Sequence, residues 1–274
     1  MRLAYLGPAG TFSEEASLLY EPRAELMPFP TITAAANAVR VGSADEVIAP
    51  IENSLQGSVT ETLDLLIHED GLLIRHELQT SVVHNLIAKQ GTIIGEVERV
   101  YSHPQALGQC QHYLERHLPG AEQAAAISTA GAVDQALDAE VPSAAIGTRR
   151  AAELYGAALL AEGIQDDDNN VTRFVVLAPE DSPTTGDDKT SICFSFGEDE
   201  PGLLYRVMEQ FADAKINLTK IESRPTRVAL GRYYFLVDLE GHRADPHVAD
   251  VLRSVKDRVS QLKVFGSYPR FAPR

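Results

Sequence analysis

The sequence predicts an α/β protein that ends in a small βαββαβ domain, and two patterns favour this fold. Up to about residue 180, short apolar runs alternate with segments whose apolar residues recur at helical spacing. This alternation is typical of an α/β fold with mostly parallel sheets. Beyond residue 190, the patterns follow the order strand, helix, strand, strand, helix, strand. That order is the ferredoxin-like arrangement.

In the first part of the chain, apolar runs predict strands, and segments with helical spacing and caps predict helices. The strands are expected at residues 3–6, 47–51, 72–74, 100–101, 144–146 and 174–178. The helices are expected around residues 13–20, 31–40, 58–67, 104–117, 129–138 and 148–155. Residues 79–89 mix apolar and polar side chains and predict an extended crossover between two lobes, with a cleft between them.

A polar segment, DSPTTGDDK at residues 181–189, is predicted to be a linker because it contains no large apolar residue. It separates a first domain, residues 1–180, from a second domain, residues 190–274. The second domain is too small and too poor in catalytic side chains to hold the main active site. Its strands are expected at residues 192–196, 218–223, 233–239 and 264–268, and its helices at 204–211 and 248–259.

The charge balance excludes several classes of partner. The 274 residues carry a net charge of −15 and give a pI near 4.9, which disfavours nonspecific binding to nucleic acid or to an anionic membrane. The sequence contains no run of about 18 apolar residues and no export-signal pattern, so we expect a cytoplasmic protein. An anionic ligand would have to be held locally, by a few arginines and by helix N-termini.

The cysteines, histidines and aspartates predict no disulfide, no metal site and no cofactor. Cys110 and Cys193 lie far apart, one in a helical pattern and one in a strand pattern. His112 and His117 are spaced so that they do not share a helix face as a metal pair would. Residues 166–168 are three aspartates without further ligands at suitable spacing, which favours a solvated loop.

The loop after the first predicted strand, GPAGTFSEEA at residues 7–16, has the layout of an anion-binding strand, loop and helix. It lacks the lysine of a nucleotide-phosphate loop and the third glycine of a dinucleotide fingerprint. Thr11 and Glu14 have the spacing of a capping box, in which both side chains satisfy backbone donors at a helix start. By itself the segment is therefore interpreted as a well-capped helix start.

Three further polar stretches follow predicted strands, where α/β folds bind their ligands. PIENSLQGSVTE at residues 50–61 has capping-box spacing between Ser58 and Glu61. YSHPQ at 101–105 places Pro104 at a helix first position, with Ser102 and Gln105 at capping-box spacing. NNVTRF at 169–174 places Thr172 and Arg173 at the start of an apolar strand.

Each stretch alone is interpreted as a cap or a strand end, but together they predict one kind of site. They supply helix N-termini, hydroxyls, amides and one arginine, without a reactive thiol or a Ser-His-Asp arrangement. Such a set is suited to recognising a small dianion, and it does not predict a covalent intermediate.

The motifs GPAGTFSEEA, PIENSLQGSV, YSHPQALGQC, AAIGTRRAAELYG and NNVTRF, in this order, resemble the prephenate dehydratase family. GLLY at residues 202–205 and IESRP at 221–225 resemble the ACT regulatory domain that follows in that family. The resemblance covers nearly the whole chain and implies a two-lobed, periplasmic-binding-protein-like catalytic domain plus a ferredoxin-like ACT domain. With no chorismate mutase segment before residue 1, it is a resemblance to the monofunctional form.

The resemblance implies conversion of prephenate to phenylpyruvate with loss of carbon dioxide and water, in phenylalanine biosynthesis. Thr172 would donate a hydrogen bond to the departing hydroxyl, with Glu52 as a possible relay of the proton and with Asn53 and Gln105 as orienting residues. Arg173 would pair with a substrate carboxylate. The residues implied to bind substrate are Thr11, Phe12, Ser13, Ser54, Gly57, Ser58, Arg173 and Phe174.

The resemblance also implies feedback regulation by phenylalanine, bound between paired ACT domains, and hence at least a homodimer or a homotetramer. The implied effector residues are Gly202, Leu203, Leu204, Glu222, Ser223, Arg224 and Pro225. Two alternatives stay open from the sequence: an arogenate dehydratase, and a non-catalytic two-lobed solute-binding protein.

Overall fold

A computed structural model of the chain describes residues 1–198, 200–227 and 231–272. The chain forms two compact units: unit 1 comprises Met1–Val59 and Gln79–Phe174, and unit 2 comprises Thr60–Leu78 and Val175–Arg274. The strands of the described residues are β1 (Arg2–Leu6), β2 (Glu25–Phe29), β3 (Glu46–Asn53), β4 (Gly57–Ser58), β5 (Leu73–Ser81), β6 (Asn85–Ala88), β7 (Arg99–Ser102), β8 (Glu122–Ala125), β9 (Ser143–Gly147), β10 (Ala158–Ala161), β11 (Val171–Ala178), β12 (Asp188–Ser195), β13 (Leu218–Pro225), β14 (Tyr233–Glu240) and β15 (Gln261–Pro269). The α-helices are α1 (Phe12–Tyr20), α2 (Ile32–Arg40), α3 (Thr60–His68), α4 (Pro104–Gln109), α5 (Gln111–His117), α6 (Thr129–Asp138), α7 (Arg149–Tyr155), α8 (Leu203–Asp213) and α9 (Pro246–Lys256).

Unit 1 contains two mixed sheets, and each forms the centre of one lobe. In the first sheet, the strand order begins β2-β1-β3-β11, with β1 parallel to both β2 and β3 and with β4 antiparallel to β3. In the second sheet, the order is β10-β6-β9-β7-β8. Here β7 is parallel to β8 and β9, while β6 is antiparallel to β9 and β10. The expectation of mostly parallel sheets is therefore wrong in detail, although the α/β class and the two lobes are confirmed.

The chain enters the second lobe after β5 and returns to the first lobe between β10 and β11. Two mixed α/β lobes joined by two crossovers form the architecture of the periplasmic-binding type. The second lobe has a core of small and medium side chains, in which Cys110 is fully buried. Burial raises the pKa of the Cys110 thiol to about 12, so this cysteine is a reduced core residue.

Unit 2 contains an antiparallel four-stranded sheet of order β13-β14-β12-β15. Helices α8 and α9 cover one face through a core that includes Phe194, Phe211, Val237 and Val255. The observed order of strands and helices is βαββαβ, as the sequence predicts. The apolar residues of this domain recur at periods of two and 3.6, so the sequence pattern predicts its strands and helices.

Segment 60–78 belongs to the same unit and packs against this small domain. At Gly266, φ is +145°, and a Cβ placed there would lie 2.3 Å from the carbonyl oxygen of Ile74 in β5. Because the two backbones approach this closely, β15 requires a glycine at position 266. A second contact joins the segment to the small domain: the buried Glu77 carboxylate accepts hydrogen bonds from Lys189 Nζ at 2.8 and 3.1 Å.

Most of the elements expected from the sequence are present, with shifts at their ends. The helix expected at 104–117 is divided at Cys110 into α4 and α5. Five short strands were not predicted: β2, β4, β6, β8 and β10. Three of them, β2, β8 and β10, lie at sheet edges, and β6 lies inside the second sheet, within the segment 79–89 that was expected to be a crossover. Among the described residues, no helix is long and apolar enough to span a membrane. The division into domains at residues 181–189 stays a prediction; β12 begins at Asp188, within that segment.

Candidate active site

Unit 1 contains a cleft of about 970 Å³ whose walls come from both lobes. The first lobe contributes the loop after β1, the turn between β3 and β4, and the start of β11. The second contributes the starts of α4 and α6, with Val82 and His84 from the crossover. Among the described residues that line it, none is Lys, Arg, Asp or Glu. The lining residues that were predicted as site residues are Thr11, Phe12, Ser13, Asn53, Gly57, Ser58, Gln105, Thr172 and Phe174.

Two helices of the unit begin at the cleft wall. Thr11 caps α1 and accepts a hydrogen bond from the Glu14 N–H at 3.4 Å. Ser128 caps α6 and accepts one from the Gly131 N–H at 2.9 Å. Backbone N–H groups in the first turn of a helix have no partner within the helix, and the helix dipole adds positive potential there. The two helix starts, one from each lobe, therefore bring backbone N–H groups to a cleft wall that has no charged lining side chain among the described residues; in α1 the first turn also carries Glu14 and Glu15.

Polar contacts join the start of α1, in the first lobe, to residues of the second lobe. The Glu14 carboxylate is buried, accepts a hydrogen bond from the Gly10 N–H and lies 3.3 Å from Arg150 of the second lobe. Thr148, also in the second lobe, donates to the Gly10 carbonyl at 2.8 Å. The capping box expected at Thr11 and Glu14 is present, except that the carboxylate caps Gly10 instead of Thr11.

Asn53 and Thr172 form the best-defined polar contact in the cleft. The Asn53 side-chain oxygen accepts hydrogen bonds from the N–H groups of Leu55 and Gln56, both at 3.1 Å. These two donors fix the orientation of the amide, so its nitrogen is the atom that faces Thr172 Oγ1 at 3.0 Å. The same nitrogen donates to Asn170 Oδ1 at 2.7 Å. Thr172 thus accepts from Asn53, and the hydrogen of its own hydroxyl remains available for another acceptor.

Arg173, Glu52 and Ser54 do not line the cleft. Successive side chains of a strand point to opposite faces, so Arg173 lies on the face of β11 away from Thr172. Its Nη1 lies 3.5 Å from Glu52 Oε2, and both residues are at most half-exposed. The expectation that Arg173 pairs directly with a substrate carboxylate is not supported by this geometry, nor is a direct relay by Glu52.

Ser54 forms hydrogen bonds with the residues at the start of β11 and does not line the cleft. Its N–H donates to the Val171 carbonyl at 2.9 Å, and its hydroxyl donates to the Asn169 carbonyl at 3.0 Å. The hydroxyl also accepts from the Val171 N–H at 3.0 Å. Ser54 therefore joins the β3–β4 turn to the start of β11 and holds the Asn53 and Thr172 strands in register.

Two expected capping boxes are absent. Ser58 lies in β4, where it pairs with Glu52, and α3 begins only at Thr60, so residues 54–58 form a turn and a short strand instead of a helix start. At the next stretch His103 is the cap, since its ring nitrogen accepts from the Gln105 N–H at 3.3 Å. Ser102 is fully buried and donates to a neighbouring strand carbonyl at 2.8 Å. The expected position of Pro104 at the helix start is confirmed.

His84 and Gln109 line the cleft and were not predicted. His84 is buried, and its Nε2 lies 2.8 Å from Gln109 Oε1. Burial lowers the pKa of the His84 imidazole, although the hydrogen bond with Gln109 acts in the opposite direction, so this histidine is neutral at pH 7. The Phe12 ring meets it edge-on, with the ring centroids 5.5 Å apart. The sequence pattern VVHNL contains no feature that separates such a histidine from a core residue.

The predicted effector residues occupy two different places in unit 2. Gly202, Leu203 and Leu204 line a pocket of about 310 Å³ together with Tyr233 and Phe235. Residues 222–225 form the end of β13 and are not among its lining residues. Ser223 pairs with Phe235 and shares its face of the sheet, whereas Arg224 pairs with Tyr234 and lies on the opposite face.

Comparison with known proteins shows the family to which the chain belongs. The chain matches the prephenate dehydratase family model over residues 3–182 and the ACT domain model over residues 192–257. It is 39% identical over 281 residues to a prephenate dehydratase of Mycobacterium tuberculosis, covering 98% of this chain and 87% of the relative. It is 40% identical over 281 residues to a protein of Arabidopsis thaliana named arogenate dehydratase/prephenate dehydratase 2, covering 98% and 73%.

A solved structure extends the similarity to the whole fold. The prephenate dehydratase of Arthrobacter aurescens, crystallised in complex with L-Phe, superposes with a TM-score of 0.91 at 36% identity, covering 98% of this chain and 90% of the other. The family models, the relatives and this fold agree over nearly the entire sequence. The chain belongs to the prephenate dehydratase family and carries an ACT domain.

Proposed function

We propose that the cleft of unit 1 binds prephenate and that Thr172 assists the loss of its hydroxyl group. The supporting observation is the contact between Asn53 and Thr172. Because the amide nitrogen of Asn53 donates to Thr172 Oγ1, the threonine keeps its hydroxyl hydrogen for another acceptor, and Thr172 lines the cleft. A donor aimed at a departing hydroxide is the group that this elimination needs.

The reaction breaks two bonds of the substrate. The bond from the ring to its carboxylate breaks and releases carbon dioxide, and its electron pair completes the aromatic ring. The bond to the ring hydroxyl also breaks, and the departing hydroxide takes up one proton from the solvent to leave as water. Thr172 stabilises the negative charge that develops on this oxygen. The N-termini of α1 and α6 hold the carboxylates, and Phe12 and Phe174 supply apolar wall.

Substitution of Thr172 tests this role. Thr172→Val removes the donor while nearly conserving volume, and we expect turnover to fall by about 10²–10³-fold, the typical loss for one transition-state donor. KM should change much less, because the lost contact is made mainly in the transition state. Thr172→Ser retains the hydroxyl and should keep most of the activity. An active Thr172→Val enzyme with an altered KM alone would contradict the proposed role.

The uncharged wall of the cleft favours prephenate over arogenate. Arogenate carries an ammonium group where prephenate has a ketone, and a desolvated ammonium needs an anionic or strong acceptor partner. Among the described lining residues there is no Asp or Glu. We therefore expect a higher kcat/KM for prephenate, measured by separate assays for phenylpyruvate and phenylalanine. A higher value for arogenate would reverse this assignment.

Regulation by phenylalanine is proposed for the ACT domain. The support is the L-Phe complex of the Arthrobacter aurescens relative and the pocket at Gly202–Leu204. Phenylalanine must then bind one state of the enzyme better than another. Paired ACT domains would make the protein a dimer or tetramer. Titration calorimetry with phenylalanine, activity assays and light scattering test these points; absence of heat together with unaltered activity would reject the regulation.

A further inference from the structure

The chain passes between the two units three times, and two of these passages follow residues that line the cleft. The passages follow Val59, Leu78 and Phe174. Val59 and Phe174 both line the cleft, and Val82 lines it shortly after the second passage. A displacement of the first residues of unit 2 would therefore be passed on through the backbone to residues that line the cleft.

Helix α3 starts immediately after one of these passages and is fastened to the ACT sheet within unit 2. Asp64 in α3 accepts a hydrogen bond from Arg224 Nη2 at 2.6 Å, and the Arg224 side chain is only 12% exposed. At the other end of the helix, Lys263 Nζ donates to the Glu69 carbonyl at 2.7 Å. The ring of His68 meets that of Tyr234 edge-on at 5.7 Å.

The two faces of strand β13 contact different parts of unit 2: one face is on the side of the effector pocket, and the other meets helix α3. Ser223 shares a face with Phe235, which lines the pocket at Gly202–Leu204. Arg224, the next residue, points to the opposite face and there meets Asp64. A shift of this edge strand on effector binding would therefore move Arg224, and with it the helix that leads back to Val59.

We propose that the ion pair between Asp64 and Arg224 couples the ACT domain to the cleft, with α3 as the transmitting element. This inference rests on the proposed regulation by phenylalanine. The two side chains are partly buried and their charged groups lie at short distance. The contact therefore holds α3 to β13 more firmly than a fully exposed ion pair would. Arg227 adds a longer and more exposed contact to the same carboxylate, at 3.5 Å.

Asp64→Asn tests the coupling without touching the cleft or the effector pocket. We expect the variant to keep its basal turnover and to bind phenylalanine, as measured by calorimetry. The maximal change in activity caused by saturating phenylalanine should shrink at least about fivefold, the lower end of typical allosteric coupling. Asp64→Glu retains the carboxylate and should recover part of the response.

Asp70→Asn is the matched control. Asp70 follows α3 and pairs with Lys263 at 2.8 Å, but its side chain is 93% exposed, so its loss should leave the response to phenylalanine unchanged. Equal inhibition of the wild type and of Asp64→Asn would overturn the inference. A wild type that ignores phenylalanine would instead reject the regulation itself.

Hydrogen exchange keeps the inference testable if Asp64→Asn folds poorly. In the wild type, phenylalanine should change the amide exchange of residues 60–68, because the transmitting helix must respond to the effector. Unaltered exchange of this helix in an enzyme that phenylalanine inhibits would overturn the proposal.

Discussion

Replacing Asn53 by aspartate would reverse one hydrogen bond in the cleft while keeping the others. The acceptor atom that binds the Leu55 and Gln56 N–H groups is retained. The donor that faces Thr172 at 3.0 Å becomes a second carboxylate oxygen. The threonine hydroxyl must then donate its hydrogen to the new carboxylate, and it can no longer donate to the departing hydroxide.

The expected cost follows from the number of bonds changed. One transition-state donor is lost, so turnover should fall by about 10²–10³-fold, or roughly 3–4 kcal/mol. KM should rise as well, because a new negative charge faces a dianion. The fold should tolerate the change: Asn170 Nδ2 is buried without a partner among the described groups, and a flip of that amide would aim it at the new carboxylate.

A double-mutant cycle with Thr172→Val separates the two effects. Without the hydroxyl, Asn53→Asp should no longer lower kcat, whereas its effect on KM should persist. Rates at saturating prephenate and thermal unfolding curves are needed for all four proteins. If Asn53→Asp lowers kcat equally in both backgrounds, the hydroxyl of Thr172 is not oriented by Asn53, and the assignment of donor and acceptor is wrong.

The remaining predictions concern positions around the cleft and the core of unit 2. Arg173→Lys should leave the KM for prephenate unchanged because Arg173 is turned away from the cleft; a clear rise would place it on the substrate after all. Gly266→Ala should lower the free energy of unfolding in urea by about 3 kcal/mol or more, since backbone blocks its Cβ, whereas Gly108→Ala, in open space within a helix, should not destabilise the protein. Burial lowers the pKa of His84 in the folded protein, so the stability it contributes is complete above the pKa of the unfolded state, about 6.5, and declines as the pH falls below that value. The free energy of unfolding of His84→Gln should therefore decrease less than that of the wild type between pH 7 and 5.

The motifs of the family resemblance led to part of the cleft wall. They implied Thr11, Ser13 and Thr172 as site residues, and all three line the cleft, while their roles stay predictions. The motifs did not show which side chains of a strand face the cleft and which face away from it. Thr172 and Arg173 are adjacent in the motif, yet the alternation of β11 puts one in the cleft and the other against Glu52. A motif records neighbours along the chain, whereas a strand sends those neighbours to opposite faces.

Missed elements have a related cause. Strands β2, β8 and β10 are short and lie at sheet edges, so their residues are partly exposed and show no clean alternation. His84 comes from the crossover and Gln109 is the last residue of α4, and only the fold brings them together at 2.8 Å. Contacts between residues distant in sequence decide such positions, and no local pattern reports them.

The uncharged wall of the cleft has a chemical reason in the reaction that we propose. One substrate carboxylate loses its charge as it becomes carbon dioxide, so a guanidinium paired with it would stabilise the ground state more than the transition state. Partial charges at the starts of α1 and α6 can hold the dianion against a net charge of −15 without that penalty. Negative charge meanwhile grows on the departing oxygen, and the role that we propose for Thr172 supplies a hydrogen-bond donor there, on the threonine whose Oγ1 accepts from Asn53. In this proposal, the charge that disappears meets only the partial charges of the helix starts, and the charge that forms meets a hydrogen-bond donor.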